Sequence, residues 1–266
     1  SAVMIPISPD GWHYLAAARG ELVPMPYARR WLLPRLLGPD PRRWVWCTRV
    51  SLLVTPLLAW DFFGAMGLAG HARLFAVVLL CVLPGVWRCS WRFPVLLDAP
   101  SFALALVAAS FARRGHVGPA IVAALLGGGV RETVPIFAAV WAWSPLPLVG
   151  LLAVGWWRRA APLAPDAPDW LTHPVRAAVD LRRRIGLDAS LYLHPFGAAL
   201  AGLCVPSWQL AAAVLLAHGQ LAIAQDTIRL SVWCAPVLVL GAAQVLPVAW
   251  WPLAILVTLV QRDDRV

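Results

Sequence analysis

The 266-residue chain contains no lysine: all 22 of its basic residues are arginine, and of its 13 acidic residues only Glu21 and Glu132 are glutamate. Charge of either sign is scarce, at 13% of residues, against 61% apolar residues and a mean hydropathy of +0.72. Water-soluble domains carry about 25% charged residues, so the composition excludes an ordinary soluble enzyme and points to an integral membrane protein. The excess of arginine gives a formal net charge of +9. In such a chain that charge faces anionic lipid or a phosphate-bearing lipid substrate rather than nucleic acid. Cys47, Cys81, Cys89, Cys204 and Cys234 form no Cys-x-x-Cys pair and lie in or beside apolar runs, as small buried hydrophobes do. There is no P-loop, Gly-x-Ser-x-Gly, His-x-x-x-His or dinucleotide fingerprint. That argues against a soluble nucleotide or nucleotide sugar as direct substrate and assigns no cofactor, and no carboxylate cluster calls for a divalent metal. The sequence opens on Ser1, and its first ten residues form neither a signal peptide nor a spanning helix.

What the chain does have is a series of apolar runs. A helix across the hydrocarbon needs about 20 apolar residues, and the runs predict an all-α, polytopic transmembrane helix bundle of about eight or nine hydrophobic segments, some short or broken, with interfacial helices. Residues 1–45, rich in proline and arginine, read as an interfacial segment on the extracytoplasmic side, with short amphipathic helices near 14–19 and 28–37. Trp12, Tyr14, Tyr27 and Trp31 are placed there as interfacial aromatics. Residues 46–157 hold transmembrane helices, with spans expected near 50–68, 72–87, 94–112 and 146–157. Residues 158–190 form a polar loop with an interfacial helix over 174–185. Residues 191–266 return to transmembrane segments near 191–205, 208–224, 228–246 and 250–260.

Residues 117–143 are either one long tilted span or two half-helices broken at Gly127, Gly128 and Gly129, followed by Arg131 and Glu132. A single crossing puts Arg113, Arg114 and the later arginines on the cytoplasmic side, as the positive-inside tendency prefers. A double crossing instead gathers Asp10, Asp98, Arg131, Glu132, Asp226 and Arg229 on one face, where charges partner each other. The second arrangement is the one adopted, against the positive-inside tendency.

Charges within such runs cost roughly 2.5–3.5 kcal/mol each at mid-bilayer and mark internal cavities and function. Asp98 sits at a helix start, where it binds or simply caps. Arg131 and Glu132 bind substrate or form a structural ion pair that holds the break together. Asp226 and Arg229, spaced i, i+3, share a helical face and either join the site or make a local salt bridge. His194 has no carboxylate at metal-ligand spacing and reads as an interfacial hydrogen-bonding group able to meet a phosphate.

Four motifs, in order, resemble those of the GT-C superfamily of polytopic membrane glycosyltransferases, which use polyprenyl-phosphate-linked sugars at the outer face of the membrane. They are the acid-Gly-x-x-Tyr opening (Asp10, Gly11, Tyr14) with the Tyr27-Ala28-Arg29-Arg30-Trp31-Leu32-Leu33-Pro34 piece behind it; the Asp98-Ala99-Pro100 helix start; the glycine-rich turn into Arg131 and Glu132; and Asp226 with Arg229 before Trp233 and Pro236. Against that pattern, these 266 residues are expected to hold neither the usual first transmembrane helix, which processing would have removed if it preceded Ser1, nor a soluble C-terminal domain. The resemblance implies inverting transfer of a sugar to an acceptor hydroxyl, with Asp10 as the catalytic base. Arg29 or Arg30, Arg131 and Arg229 would stabilise the leaving phosphate, with Glu132 and Asp226 orienting them and Asp98 and His194 contacting substrate. It further implies a bacterial plasma-membrane location with an extracytoplasmic site. Two other readings fit the same residues: a flippase or transporter of a lipid-linked intermediate, for which no inverted repeat is evident, and a non-catalytic subunit of a larger membrane assembly.

Overall fold

The computed structural model describes residues 5–24, 27–157, 196–221 and 232–260. All regular elements among them are helical and none is a strand, in keeping with the all-α class. Among the described residues no helix is both long and apolar enough to cross a membrane. Most of the apolar runs fall in helices shorter than the roughly 20 residues that a crossing needs, and prolines and charges interrupt them.

The helices are α1 (Pro9–Ala18), α2 (Leu32–Leu37), α3 (Pro41–Ala65), α4 (Gly70–Val82), α5 (Pro84–Arg92), α6 (Asp98–Arg113), α7 (Val117–Val130), α8 (Thr133–Ala142), α9 (Leu151–Trp157), α10 (Trp208–Leu221), α11 (Ala235–Val245) and α12 (Trp251–Val260). Short 3-10 turns at Tyr27–Arg29, Leu146–Gly150, Gly197–Cys204, Val232–Cys234 and Val248–Trp250 join them. Several boundaries differ from expectation for identifiable reasons. Helix α1 starts at Pro9 because Ser8 caps it, its Oγ accepting from the Gly11 N–H at 3.1 Å, and proline fits the first turn. Helix α3 begins well before residue 50, so its arginine-rich start is helical rather than loop. The run expected at 72–87 divides at Pro84, which cannot continue the α4 ladder.

The chain forms two compact units, residues 1–58 with 90–168 and residues 59–89 with 169–266. In the first, α6, α7 and α8 pack through small side chains. Ala105, Ala108 and Ala109 of α6 and Ala120, Ala123 and Ala124 of α7 are all buried. Such faces let helix backbones approach closely. The three glycines lie inside α7 rather than breaking it: a Cβ on Gly128 would collide with the Gly150 carbonyl, and one on Gly127 with the Val134 side chain. The break comes just after them, where Arg131 is extended (φ −155°, ψ 130°). Residues 117–143 are thus two helices, with the glycines serving the packing. In the second unit the 3-10 turn Gly197–Cys204 lies against α11, Gly202 meeting the Leu238 backbone. There Phe75 stacks on Trp251 with ring centroids 4.7 Å apart.

Candidate functional site

Four segments of the first unit meet in one polar cluster: α1, the turn Tyr27–Arg29 with Arg30 after it, the first turn of α6, and the α7–α8 break. On α1, Asp10 and Tyr14 are spaced i, i+4 and share a face. Gly11 between them permits the close seat of α1, because a Cβ there would press on the Val95 carbonyl and the Ile7 side chain. The Tyr27 hydroxyl donates to Asp10 Oδ1 at 2.5 Å. His13 stacks on the Tyr27 ring at 4.6 Å, and Tyr14 meets the same ring edge-on at 5.2 Å. Tyr14 is therefore a buried residue, not an interfacial aromatic; Trp12 is the one turned outward.

Arg30 is buried and its donors are shared between two segments. Its Nη2 and Nε reach Glu132 Oε1 and Oε2 at 2.8 and 3.1 Å, and its Nη1 donates to the Tyr14 hydroxyl at 2.7 Å. This two-pronged geometry matches the guanidinium fork to a carboxylate and is among the stronger protein contacts. Arg131 Nη1 donates to Asp98 Oδ1 at 2.5 Å. Of the two expectations for Arg131 and Glu132, the pairing with each other is not what forms: they have different ion-pair partners. The extended backbone at Arg131 sends adjacent side chains different ways, one to α6 and the other to the N-terminal segment. Asp98 is the first residue of α6, and Leu97 holds the cap position.

The electrostatics follow from this pairing. Burial alone would push the Glu132 carboxyl up, but the charge and hydrogen bonds of Arg30, with Arg131 close by, hold it at about 2. Burial likewise works against the Arg30 charge, and Glu132 and Tyr14 more than offset it, so this guanidinium is held above its ordinary range. Burial raises the Tyr14 phenol despite the nearby Arg30 and Arg131. Burial and then the hydrogen bond to Asp10 raise Tyr27 as well, so both phenols are neutral at physiological pH, Tyr27 donating to Asp10 and Tyr14 accepting from Arg30. Beside the ion pairs, Ser101 Oγ and Thr133 Oγ1 are buried without a hydrogen-bond partner among the described residues. They lie one turn along from Asp98 and next to Glu132, and supply hydroxyls able to meet a bound oxygen.

Of the residues singled out in the sequence, Asp10, Arg30, Asp98, Arg131 and Glu132 meet here. Of the two candidate arginines, Arg30 enters the cluster; the Arg29 side chain lies outside the described residues. His194, Asp226 and Arg229 also lie outside them, as do the 158–190 loop and its expected helix. Tyr27 and Tyr14 carry more of the site than sequence reasoning gave them, since a tyrosine near an interface looks the same whether its ring faces lipid or a carboxylate. Among the described residues no group of three or more His, Cys, Asp or Glu side chains is placed to hold a metal ion. No family model matches the chain, and no curated protein or solved structure is significantly similar to it.

Proposed function

We propose that the chain is a membrane glycosyltransferase that moves a sugar from a polyprenyl-phosphate donor to an acceptor hydroxyl with inversion. One observation carries this reading: Asp10 is joined through Tyr27, Tyr14 and Arg30 to two arginine–carboxylate pairs contributed by distant parts of the chain. A carboxylate beside buried guanidinium groups combines a base with charge stabilisation, which is what this transfer requires.

In the proposed step the acceptor oxygen forms a bond to the anomeric carbon as the bond from that carbon to the phosphate oxygen breaks. Asp10 takes the acceptor proton, and the lipid phosphate leaves with the electron pair. Tyr27 steadies the Asp10 carboxylate, and Arg131 and Arg30 face the growing phosphate charge, oriented by Asp98 and Glu132. The reaction belongs to the extracytoplasmic side of a bacterial plasma membrane, and the acceptor is a glycan, lipid or protein hydroxyl.

The test is Asp10→Asn, assayed with a radiolabelled polyprenyl-phosphate sugar in vesicles. Transfer is expected to fall by at least about 100-fold, the scale of a lost general base, with the thermal unfolding midpoint unchanged. Turnover near that of the unaltered chain overturns the assignment.

A further inference from the structure

The outward face of α3 has a composition that water does not favour. Trp46, Val50, Leu53 and Leu57, spaced by alternating four and three residues, are 66%, 52%, 69% and 71% exposed. Such spacing lines one stripe of a helix. The inward face of the same helix carries hydroxyls. Thr48 donates to the Pro94 carbonyl at 2.7 Å, and Ser51 and Thr55 donate to the carbonyls four residues back at 2.8 and 2.7 Å. Apolar side chains outside and satisfied hydroxyls inside is the arrangement that hydrocarbon solvent selects.

Charge and length identify what covers the stripe. Exposed Arg42, Arg43 and Arg49 flank its Trp46 end, and Arg49 lies over the exposed ring of Trp91 at 5.5 Å. Past Arg49 there is no charge up to Leu57. Tryptophan with arginine marks the level of anionic headgroups. From Trp46 to Leu57 the helix rises about 16 Å at 1.5 Å per residue, close to the ~15 Å half-thickness of a hydrocarbon core.

We infer that residues 46–57 of α3 face one leaflet of an anionic bilayer, with Trp46 at the headgroups and Leu57 deeper in the hydrocarbon. The polar cluster is tied to the same end of the helix. Tyr14 stacks on Trp44 at 5.9 Å, and Thr48 holds Pro94, four residues before Asp98. The cluster therefore lies at headgroup depth, level with lipid phosphates. This rests on the glycosyltransferase reading only in taking the donor phosphate to be lipid-borne; it narrows the substrate to one met from within the leaflet.

The test places single cysteines by Trp46→Cys, Val50→Cys, Leu53→Cys and Leu57→Cys in a full-length chain whose five native cysteines are replaced by serine. Each is labelled with bimane in phosphatidylcholine vesicles with or without phosphatidylglycerol, carrying shallow or deep doxyl quenchers. Fluorescence loss is expected to be greatest with the shallow quencher at 46 and with the deep quencher at 57, with 50 and 53 between. The shallow preference at 46 is expected to strengthen with phosphatidylglycerol and to lose that response in an Arg42→Gln, Arg43→Gln, Arg49→Gln background. Quenching by aqueous iodide along the stripe, protection from every quencher (a second copy or another segment covering it), or indifference to phosphatidylglycerol overturns the inference. A second measurement on the unaltered chain guards against misfolded variants: a carbene-generating phospholipid is expected to label Val50, Leu53 and Leu57, and absence of label there overturns it equally. No turnover is needed, so Asp10→Asn keeps the same depth profile, and failure of the enzymatic reading is distinguishable from failure of this one.

Discussion

At the scale of single residues, Tyr27 decides how Asp10 is presented. A hydrogen bond donated to a carboxylate favours its charged form, and the Tyr27 hydroxyl donates one at 2.5 Å. Tyr27→Phe removes that donor while keeping the ring that His13 stacks on. Transfer is then expected to fall roughly 10-fold, the scale of a hydrogen bond to a charged group worth about 1.5 kcal/mol. Unchanged transfer denies Tyr27 this part. The charged members were legible in the sequence because Asp98, Arg131 and Glu132 stand inside apolar runs, where a charge demands a partner. The pairing was not legible. Neighbours in sequence look like natural partners, and only the extended backbone at Arg131 sends Arg131 to Asp98 and Glu132 to Arg30.

At the scale of elements, the Arg30–Glu132 pair fastens the N-terminal segment to the α7–α8 break. Removing one member of a fully buried pair costs about 3–5 kcal/mol, and less here because the Glu132 side chain is only partly buried. Arg30→Gln and Glu132→Gln are each expected to destabilise by about 1–3 kcal/mol, the double variant by less than their sum, and all three to speed tryptic cleavage at Arg19. Additive losses in a double-mutant cycle would mean that the pair contributes no coupling. Close packing gives a second prediction. Gly128→Ala drives a Cβ into the Gly150 carbonyl, so a loss of about 1–3 kcal/mol is expected in denaturant unfolding, whereas Gly118→Ala, with nothing nearby, is expected to be neutral or mildly stabilising. The sequence placed a break near the three glycines, but glycine has two uses that look alike on paper. It ends helices and it lets them touch, and here the second applies while the adjacent Arg131 makes the break.

For the molecule as a whole, the acid limit of stability follows from the partly buried carboxyl that binds the two halves of the cluster. Glu132 is held at about 2 against an ordinary 4.5. A depressed carboxyl contributes stability that is full above its ordinary range and is lost as pH falls through its folded value. The unfolding midpoint is therefore expected to drop as the pH is lowered from about 5 toward 2, and to drop less steeply in Glu132→Gln. Equal slopes would place the acid sensitivity elsewhere. The helical class was readable from the composition and apolar runs, but the lengths of the helices were not. Hydropathy averages over a window, whereas a single proline such as Pro84 or one extended residue such as Arg131 cuts the ladder at a point.

The contact between Arg30 and Glu132 also sets an order in time, because 102 positions separate its members. A ribosome adding about 5–20 residues per second reaches the glutamate roughly 5–20 s after the arginine. Throughout that interval Arg30 lacks the carboxylate that pairs with it, so this link of the cluster closes only after residue 132 has been made.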